Sequence, residues 1–297
     1  SRGVTMRIAF AGLGVMGAPM ARHLIAAGHA VAGYNRSPDK ARAWAAAHGG
    51  RFAATVAEAA EGAELFILCV GNDDDVRQVV TEALPHLAQG AVIVDHTTTS
   101  AKVAREMAER AAGRGAAFID APVSGGQAGA ENGQLSVMAG GEADALARVE
   151  PVLRAYSKAV QHMGPAGAGQ LTKMVNQICI AGVVQGLAEA VHFAERAGLD
   201  TDAVYEAVSK GAAQSWQMDN RWKTMAEGRF DFGFAVDWMR KDLGLVLDEA
   251  RTNGSHLALT ALVDQFYSEV QSLGGSRWDT SSLAARLQDR SRRPSGE

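Results

Sequence analysis

Short apolar runs alternate with amphipathic stretches through the first half of the chain. The runs lie at residues 7–11, 30–34, 64–70, 91–95 and 116–120, and the stretches between them at 18–27, 38–48, 76–84 and 101–112. Runs that are apolar throughout, rather than at every second position, are expected of strands covered on both faces. With helices between them they predict an α/β fold with a doubly wound, mostly parallel sheet. Two more strands are expected near 135–139 and 159–163, with a helix near 143–156. The segment 122–133, rich in Gly, Ser and Ala, reads as a functional loop. After Gly164-Pro165 the pattern changes. No proline interrupts 167–197, and Gly198 supplies a stop, so one long helix is expected there. At 1.5 Å per residue it would run about 45 Å, too long for one face of a small sheet and suited to joining two domains. The remainder to residue 287 is helical in pattern, without convincing strands. The expected organisation is an α/β domain at 1–164, an all-helical domain at 165–290 that includes the long helix, and a loose polar tail at 291–297, its polar character beginning near Arg286.

The first run feeds directly into Gly12-Leu13-Gly14-Val15-Met16-Gly17. A buried strand, a glycine-rich turn and a helix in that order form a dinucleotide phosphate grip. Gly12 permits the tight turn, Gly14 lets backbone approach a pyrophosphate, and Gly17 lets helix pack on strand. The helix would aim its N-terminal amides and its dipole at the phosphates. The second strand ends at Asn35-Arg36-Ser37, where a carboxylate would accept hydrogen bonds from the ribose of NAD. A guanidinium there can instead grip a 2′-phosphate, with Ser37 as a donor and Lys40 one turn on. NADP is therefore the expected cofactor. The alternative is NAD, with its ribose held by Asn35 and Arg36 solvated.

Bulk properties narrow the partners. The 297 residues are 47% hydrophobic and 21% charged, with a net charge of −4. That balance favours a small-molecule ligand over nucleic acid or an anionic membrane. No run is expected to reach the roughly 18 apolar residues of a membrane span, and Ser1–Thr5 holds no apolar signal core. Cys69 and Cys179 lie in apolar runs and read as buried small hydrophobes in a reducing, cytoplasmic compartment.

Chemistry-bearing residues fall where the strands end. Val70-Gly71 follows one strand and is placed to touch the dinucleotide. Asp73-Asp74-Asp75 beyond it reads as a helix cap rather than a metal cluster. No metal site is expected: the eight histidines are scattered, with no HExxH and no paired cysteines. Asp95-His96-Thr97-Thr98-Thr99 follows the next strand; its hydroxyls suit a ribose or nicotinamide amide, or equally a helix cap, and His96 is a weak acid–base candidate. Ser124 with Gly125 and Gly126 after Asp120-Ala121-Pro122-Val123 makes a small nest suited to a carboxylate, or simply a tight loop. Lys173 and Asn176, three apart on the long helix, share one face near the expected domain junction. Together they can bind and protonate one oxygen, although spacing alone fits a solvated lysine as well.

The ordered set GLGVMG with Met20, DAPVSGG, GAGQLTKMVNQ and MRKDLGLVLDEA spans nearly the whole chain and resembles the β-hydroxyacid dehydrogenase family. The resemblance implies a Rossmann domain, a long interdomain helix and a helical domain that completes the cleft and builds a homodimer or homotetramer. It implies hydride transfer between a nicotinamide cofactor and a small 3-hydroxy acid such as 3-hydroxyisobutyrate, or the corresponding semialdehyde. Alternatives are an NADPH-dependent glyoxylate/succinic or tartronate semialdehyde reductase, a serine dehydrogenase, an imine reductase, or a non-catalytic interaction protein. By resemblance Lys173 is the essential lysine, with Asn176 its hydrogen-bonding neighbour. Ser124 and Gly125 bind the substrate carboxylate, and Thr98 and Lys241 contact the cofactor. Three positions depart from the family pattern. No proline follows Val70, His96 stands where a small residue is usual, and Trp238 replaces a common leucine. With Trp216 and Phe234, Trp238 reads as helical core packing, or as a wall narrowing the substrate pocket.

Overall fold

The computed structural model describes residues 5–291. Its contacts divide the chain into two compact units between Lys173 and Met174. The first unit is a nine-stranded sheet, its main path running β3-β2-β1-β4-β5-β6-β8-β7. The strands are β1 (Arg7–Ala11), β2 (Ala30–Tyr34), β3 (Arg51–Phe52), β4 (Leu65–Leu68), β5 (Val92–Asp95), β6 (Ala117–Asp120), β7 (Val123–Ser124), β8 (Leu135–Gly140) and β9 (Ser157–Gly164). β1 to β6 pair in parallel; β8 runs antiparallel to β6 and β7 and parallel to β9. The helices between are α1 (Gly17–Ala26), α2 (Pro38–His48), α3 (Val56–Ala60), α4 (Asp73–Ala83), α5 (Ala101–Ala112), α6 (Gly126–Glu131) and α7 (Ala143–Leu153).

Alternate residues of each parallel strand point to opposite faces, and both faces are covered. Ile8, Phe10, Leu65, Ile67, Val92 and Val94 pack on one side with Met20 and Leu24 of α1. Ala9, Phe66, Leu68 and Ile93 pack on the other with Val76 and Val80 of α4 and Met107 of α5. Two-sided burial is why these runs are apolar at every position.

The glycine turn shows three distinct needs. Gly12 has φ of +99°, and a Cβ there would overlap the Cys69 carbonyl oxygen. A Cβ at Gly17 would overlap the Gly12 carbonyl oxygen, whereas one at Gly14 would meet nothing within 4 Å. Two glycines thus let β1, β4 and α1 close together, and the third keeps backbone open to its surroundings.

The second unit holds the rest of α8 (Ala168–Arg196), with α9 (Thr201–Val208), α10 (Trp216–Glu227), α11 (Val236–Asn253), α12 (Ala258–Ser272) and α13 (Leu283–Ser291). Ala181, Val184, Ala188 and Val191 of α8 pack with Trp222, Met239, Leu243 and Tyr267 in its core. Among the described residues its one β feature is an isolated bridge between Ala235 and Asp279.

Several expectations need correction. The segment 122–133 is not all loop: β7 pairs Ser124 with Ser136, and α6 follows the positive-φ bend at Gly125-Gly126. Asn72, not an aspartate, caps α4; its Oδ1 accepts from the Asp75 N–H at 2.9 Å, and the three aspartates form the first turn. Cys69 is only half-buried and Cys179 is exposed, with neither in a disulfide. Position 179 faces away from the α8 core stripe. Residues 286–291 belong to α13, where Arg286 is buried, pairs with Glu269 at 2.6 Å and stacks on Phe266; 292–297 lie outside the described residues. α8 is long and apolar enough by composition to cross a membrane, with mean hydropathy 1.4 over its most apolar window. Part of that window, 44%, is buried inside the protein, as in a core helix, and α8 also carries buried Gln170, Lys173, Gln177 and Gln185.

Gly12→Ala is expected to destabilise the protein by about 2–4 kcal/mol, combining left-handed backbone strain with overlap, while Gly14→Ala stays near wild type. Urea unfolding of both variants checks the contrast.

Candidate active site

Parallel pairing brings the carboxyl ends of β1, β2, β4, β5 and β6 to one edge of the sheet, and the segments 12–17, 35–37, 70–71 and 96–99 follow four of those ends. At the glycine turn, Met16 at the N-cap of α1 makes no side-chain capping bond, so side chains leave the first amides uncovered. Val15 beside it is 62% exposed. Asn35 at the end of β2 is a strut: its Oδ1 accepts from the Leu13 N–H at 2.9 Å, and its Nδ2 donates to the Ser37 carbonyl at 3.2 Å. Its acceptor is already engaged, which weakens the reading of Asn35 as a ribose ligand. Arg36, Ser37 and Lys40 are exposed at the start of α2, and Ser37 makes no capping bond.

The next two strand ends are laced together. The Val70 N–H donates to Thr97 Oγ1 at 2.9 Å, and the Thr97 N–H donates to Asp95 Oδ1 at 2.9 Å. Thr97 and Thr99 are buried, which leaves Thr98 as the half-exposed threonine of the three. The aspartates of α4 diverge. Asp73 accepts from the N–H and Oγ of Ser100, Asp74 pairs with Arg77, and Asp75 pairs with Arg36 at 2.8 Å. Among the described residues no group of three or more His, Cys, Asp or Glu side chains is placed to hold a metal.

The start of α8 is fastened to the same edge. Asp120, fully buried at the end of β6, accepts from the Gly167 N–H on Oδ1 at 2.8 Å and from the Gln170 N–H on Oδ2 at 3.0 Å. Burial pushes its pKa up, and these backbone donors oppose that shift. A Cβ on Gly169 would crowd the Met138 and Asp120 carbonyls, so only glycine lets the helix seat this closely. Gln170, also fully buried, donates from Nε2 to the Thr97 carbonyl at 2.7 Å and accepts from the Thr99 N–H at 3.0 Å. Lys173 follows one turn later and is 9% exposed. Asn176, half-buried a further three residues along α8, donates to Gln177 Oε1 at 2.9 Å; Gln177 in turn donates to Asp242 Oδ2 at 2.9 Å.

Ser124 is half-buried, and Gly125 and Gly126 are exposed. Lys241 is half-buried, its Nζ 5.8 Å from the Trp238 ring centre. Trp216, Phe234 and Trp238 are 59%, 41% and 45% exposed, so the core-packing reading of these aromatics fails.

A family model described as the NAD binding domain of 6-phosphogluconate dehydrogenase matches residues 7–164. A second, described as NAD-binding of NADP-dependent 3-hydroxyisobutyrate dehydrogenase, matches residues 167–287. The chain belongs to the β-hydroxyacid dehydrogenase family. It is thus an oxidoreductase of a family of NAD(P)-dependent 3-hydroxyacid dehydrogenases, with an NAD-binding Rossmann unit. A solved structure of Mycobacterium tuberculosis 3-hydroxyisobutyrate dehydrogenase with L-serine superposes with a TM-score of 0.90 at 32% identity, covering 96% of this chain and 100% of that one. An uncharacterized oxidoreductase of Shewanella frigidimarina is 62% identical over 95% of this chain and 98% of its own length. A probable 3-hydroxyisobutyrate dehydrogenase-like protein of Arabidopsis thaliana is 38% identical over 95% and 85%.

The residues present fit the dinucleotide of β-hydroxyacid dehydrogenases. The open face of Gly14 and the uncapped amides at the start of α1 would hold its phosphates. Asp120, Gln170, Gln177 and Asp242 were not singled out from sequence. The signal for Asp120 is a carboxylate ending an otherwise apolar strand; for Gln170, it is an amide one turn before Lys173.

His96 is not placed for proton transfer. Its ring is buried, with Nδ1 donating to the Ala121 carbonyl at 2.6 Å and Nε2 accepting from the Tyr156 hydroxyl at 2.7 Å. A carbonyl can only accept, which fixes the tautomer, and burial lowers the pKa from 6.5 to about 4. In the unfolded chain the ring protonates near pH 6.5, whereas in the folded protein it resists to about pH 4. The unfolded state therefore binds more protons in that window, and stability falls as pH drops through it, by about 3 kcal/mol in all. His96→Gln is expected to flatten this dependence, measured by denaturant unfolding from pH 7 down to 4.

Proposed function

We propose that this β-hydroxyacid dehydrogenase uses NADP(H) to interconvert a small 3-hydroxy acid, such as 3-hydroxyisobutyrate, and its semialdehyde. The observation that carries the reading is Lys173, buried one turn beyond the Asp120 and Gln170 clamp on α8. A buried lysine on a fixed helix start has the reach and rigidity that proton transfer to one oxygen requires.

Gly12, Leu13, Gly14, Val15, Met16 and Gly17 hold the pyrophosphate, with Val70, Gly71 and Thr98 along the rest of the dinucleotide and, by family resemblance, Lys241 as a further contact. When bound, the nicotinamide nucleotide supplies or accepts a hydride. Ser124, with the Gly125 and Gly126 amides, holds the substrate carboxylate. Lys173 Nζ hydrogen-bonds the reacting oxygen, giving a proton in reduction and taking one in oxidation, and Asn176 holds the same oxygen in line. The absence of a carboxylate at the end of β2, with Arg36, Ser37 and Lys40 exposed there, supports the phosphorylated nucleotide. The exposed aromatics Trp216, Phe234 and Trp238 support a role in limiting substrate size. A homodimer or homotetramer fits the exposed Val175, Val183, Phe193, Leu259 and Leu262 of the helical unit.

The test is a spectrophotometric panel with both nucleotides against 3-hydroxyisobutyrate, 3-hydroxypropionate, glycerate, L-serine, 4-hydroxybutyrate and the semialdehydes. Turnover of a 3-hydroxy acid with NADP is expected; turnover confined to imines, or none, overturns the reading. Lys173→Ala is expected to lower kcat by about 10²- to 10⁴-fold while nucleotide affinity holds. Arg36→Asp is expected to move preference from NADPH towards NADH, read by fluorescence titration.

A further inference from the structure

Arg36, the cation assigned to the 2′-phosphate, already has a partner. Its Nη2 donates to Asp75 Oδ1 at 2.8 Å, across 39 residues of sequence. The exposure of the pair is lopsided: the arginine side chain is 80% exposed and the aspartate 21%. Asp75 is the fixed half, in the first turn of α4 with its N–H held by the Asn72 side chain. Its other oxygen, Oδ2, lies 2.5 Å from where a Cβ on Gly71 would stand, so the carboxylate rests over backbone at the end of β4. The neighbouring acids are engaged elsewhere, Asp73 with Ser100, Asp74 with Arg77 and Asp39 with Arg42.

Resting on the NADP(H) reading above, we infer that Asp75 sets how strongly the protein discriminates between phosphorylated and unphosphorylated nucleotides, by competing for Arg36. A 2′-phosphate carries close to two negative charges at neutral pH and must draw the guanidinium from a carboxylate that cannot follow it. A 2′-hydroxyl does not, and leaves the Arg36–Asp75 pair intact. Asp75 therefore acts as a carboxylate that reaches the adenosine end from α4 rather than from the end of β2, and it narrows the preference for NADP(H) without reversing it.

The test is titration calorimetry of the full chain with adenosine 2′,5′-bisphosphate and with adenosine 5′-monophosphate. Wild type, Asp75→Asn, Arg36→Gln and the double variant are compared. Asp75→Asn is expected to tighten the bisphosphate by about 2- to 5-fold, the scale of an exposed charge pair, and to leave the monophosphate unchanged. The gain is expected to shrink in high salt and to be lost in the Arg36→Gln background. Equal tightening of both ligands, no tightening, or a gain that persists without Arg36 overturns the inference. Arg36→Gln alone judges the underlying reading. If it does not weaken the bisphosphate, the NADP(H) assignment falls and this inference falls with it; if it does, and Asp75→Asn changes nothing, only the role of Asp75 falls.

Discussion

A buried carboxylate at the end of β6 organises the candidate active site. Asp120 has no contact with solvent, yet it accepts N–H groups from Gly167 and Gln170 at the start of α8. A helix start offers unpaired amides and the positive end of a dipole, an environment in which a buried acid can remain satisfied. The fastening joins sheet to helix at one point, and Gly169 lets the two backbones meet there. Gln170 adds a second point by pinning the 97–99 segment. Lys173 inherits its position from both.

The carboxyl edge of the sheet separates residues that build from residues left open. Asn35, Thr97, Asp73 and His96 have polar atoms engaged within the first unit, and each ties one strand end or loop to another, while Asp95 braces Thr97. Arg36, Ser37, Thr98 and the Gly125-Gly126 bend remain wholly or partly exposed. Rigid ties behind adaptable groups are what a site needs if binding is not to be spent on ordering the protein. His96 shows how a residue unusual for its family position can serve the frame: its tautomer and burial hold Ala121, three residues before Ser124.

Much of this frame was legible in the sequence because its physics is local. β1, β2, α2 and α5 begin and end where periodicity, Pro38 at a helix start and the caps place them. The glycine turn was readable because steric need at Gly12 and Gly17 leaves no other residue possible. What escaped depends on chain separation. Asp120 meets Gln170 across 50 residues, and Arg36 meets Asp75 across 39, so no window of sequence contains either pair. The strand β7 was missed because two residues carry no period, and its pairing with β8 depends on the sheet edge already being present. The aromatics of the helical unit were misjudged for a related reason. Spacing puts Trp238 on a helix, but only the packing of α11 decides which face it occupies.

The most direct measurement is the kinetics of Asp120→Asn beside its nucleotide affinity. An amide cannot accept both helix N–H groups without turning its own NH₂ towards one of them, so the start of α8 should shift while the glycine turn stays in place. We expect kcat to fall by about 10- to 100-fold, the cost of a misplaced catalytic group, with nucleotide affinity and cooperative unfolding retained. Undiminished turnover in a variant shown by its structure to have lost the Gly167 and Gln170 bonds would contradict it.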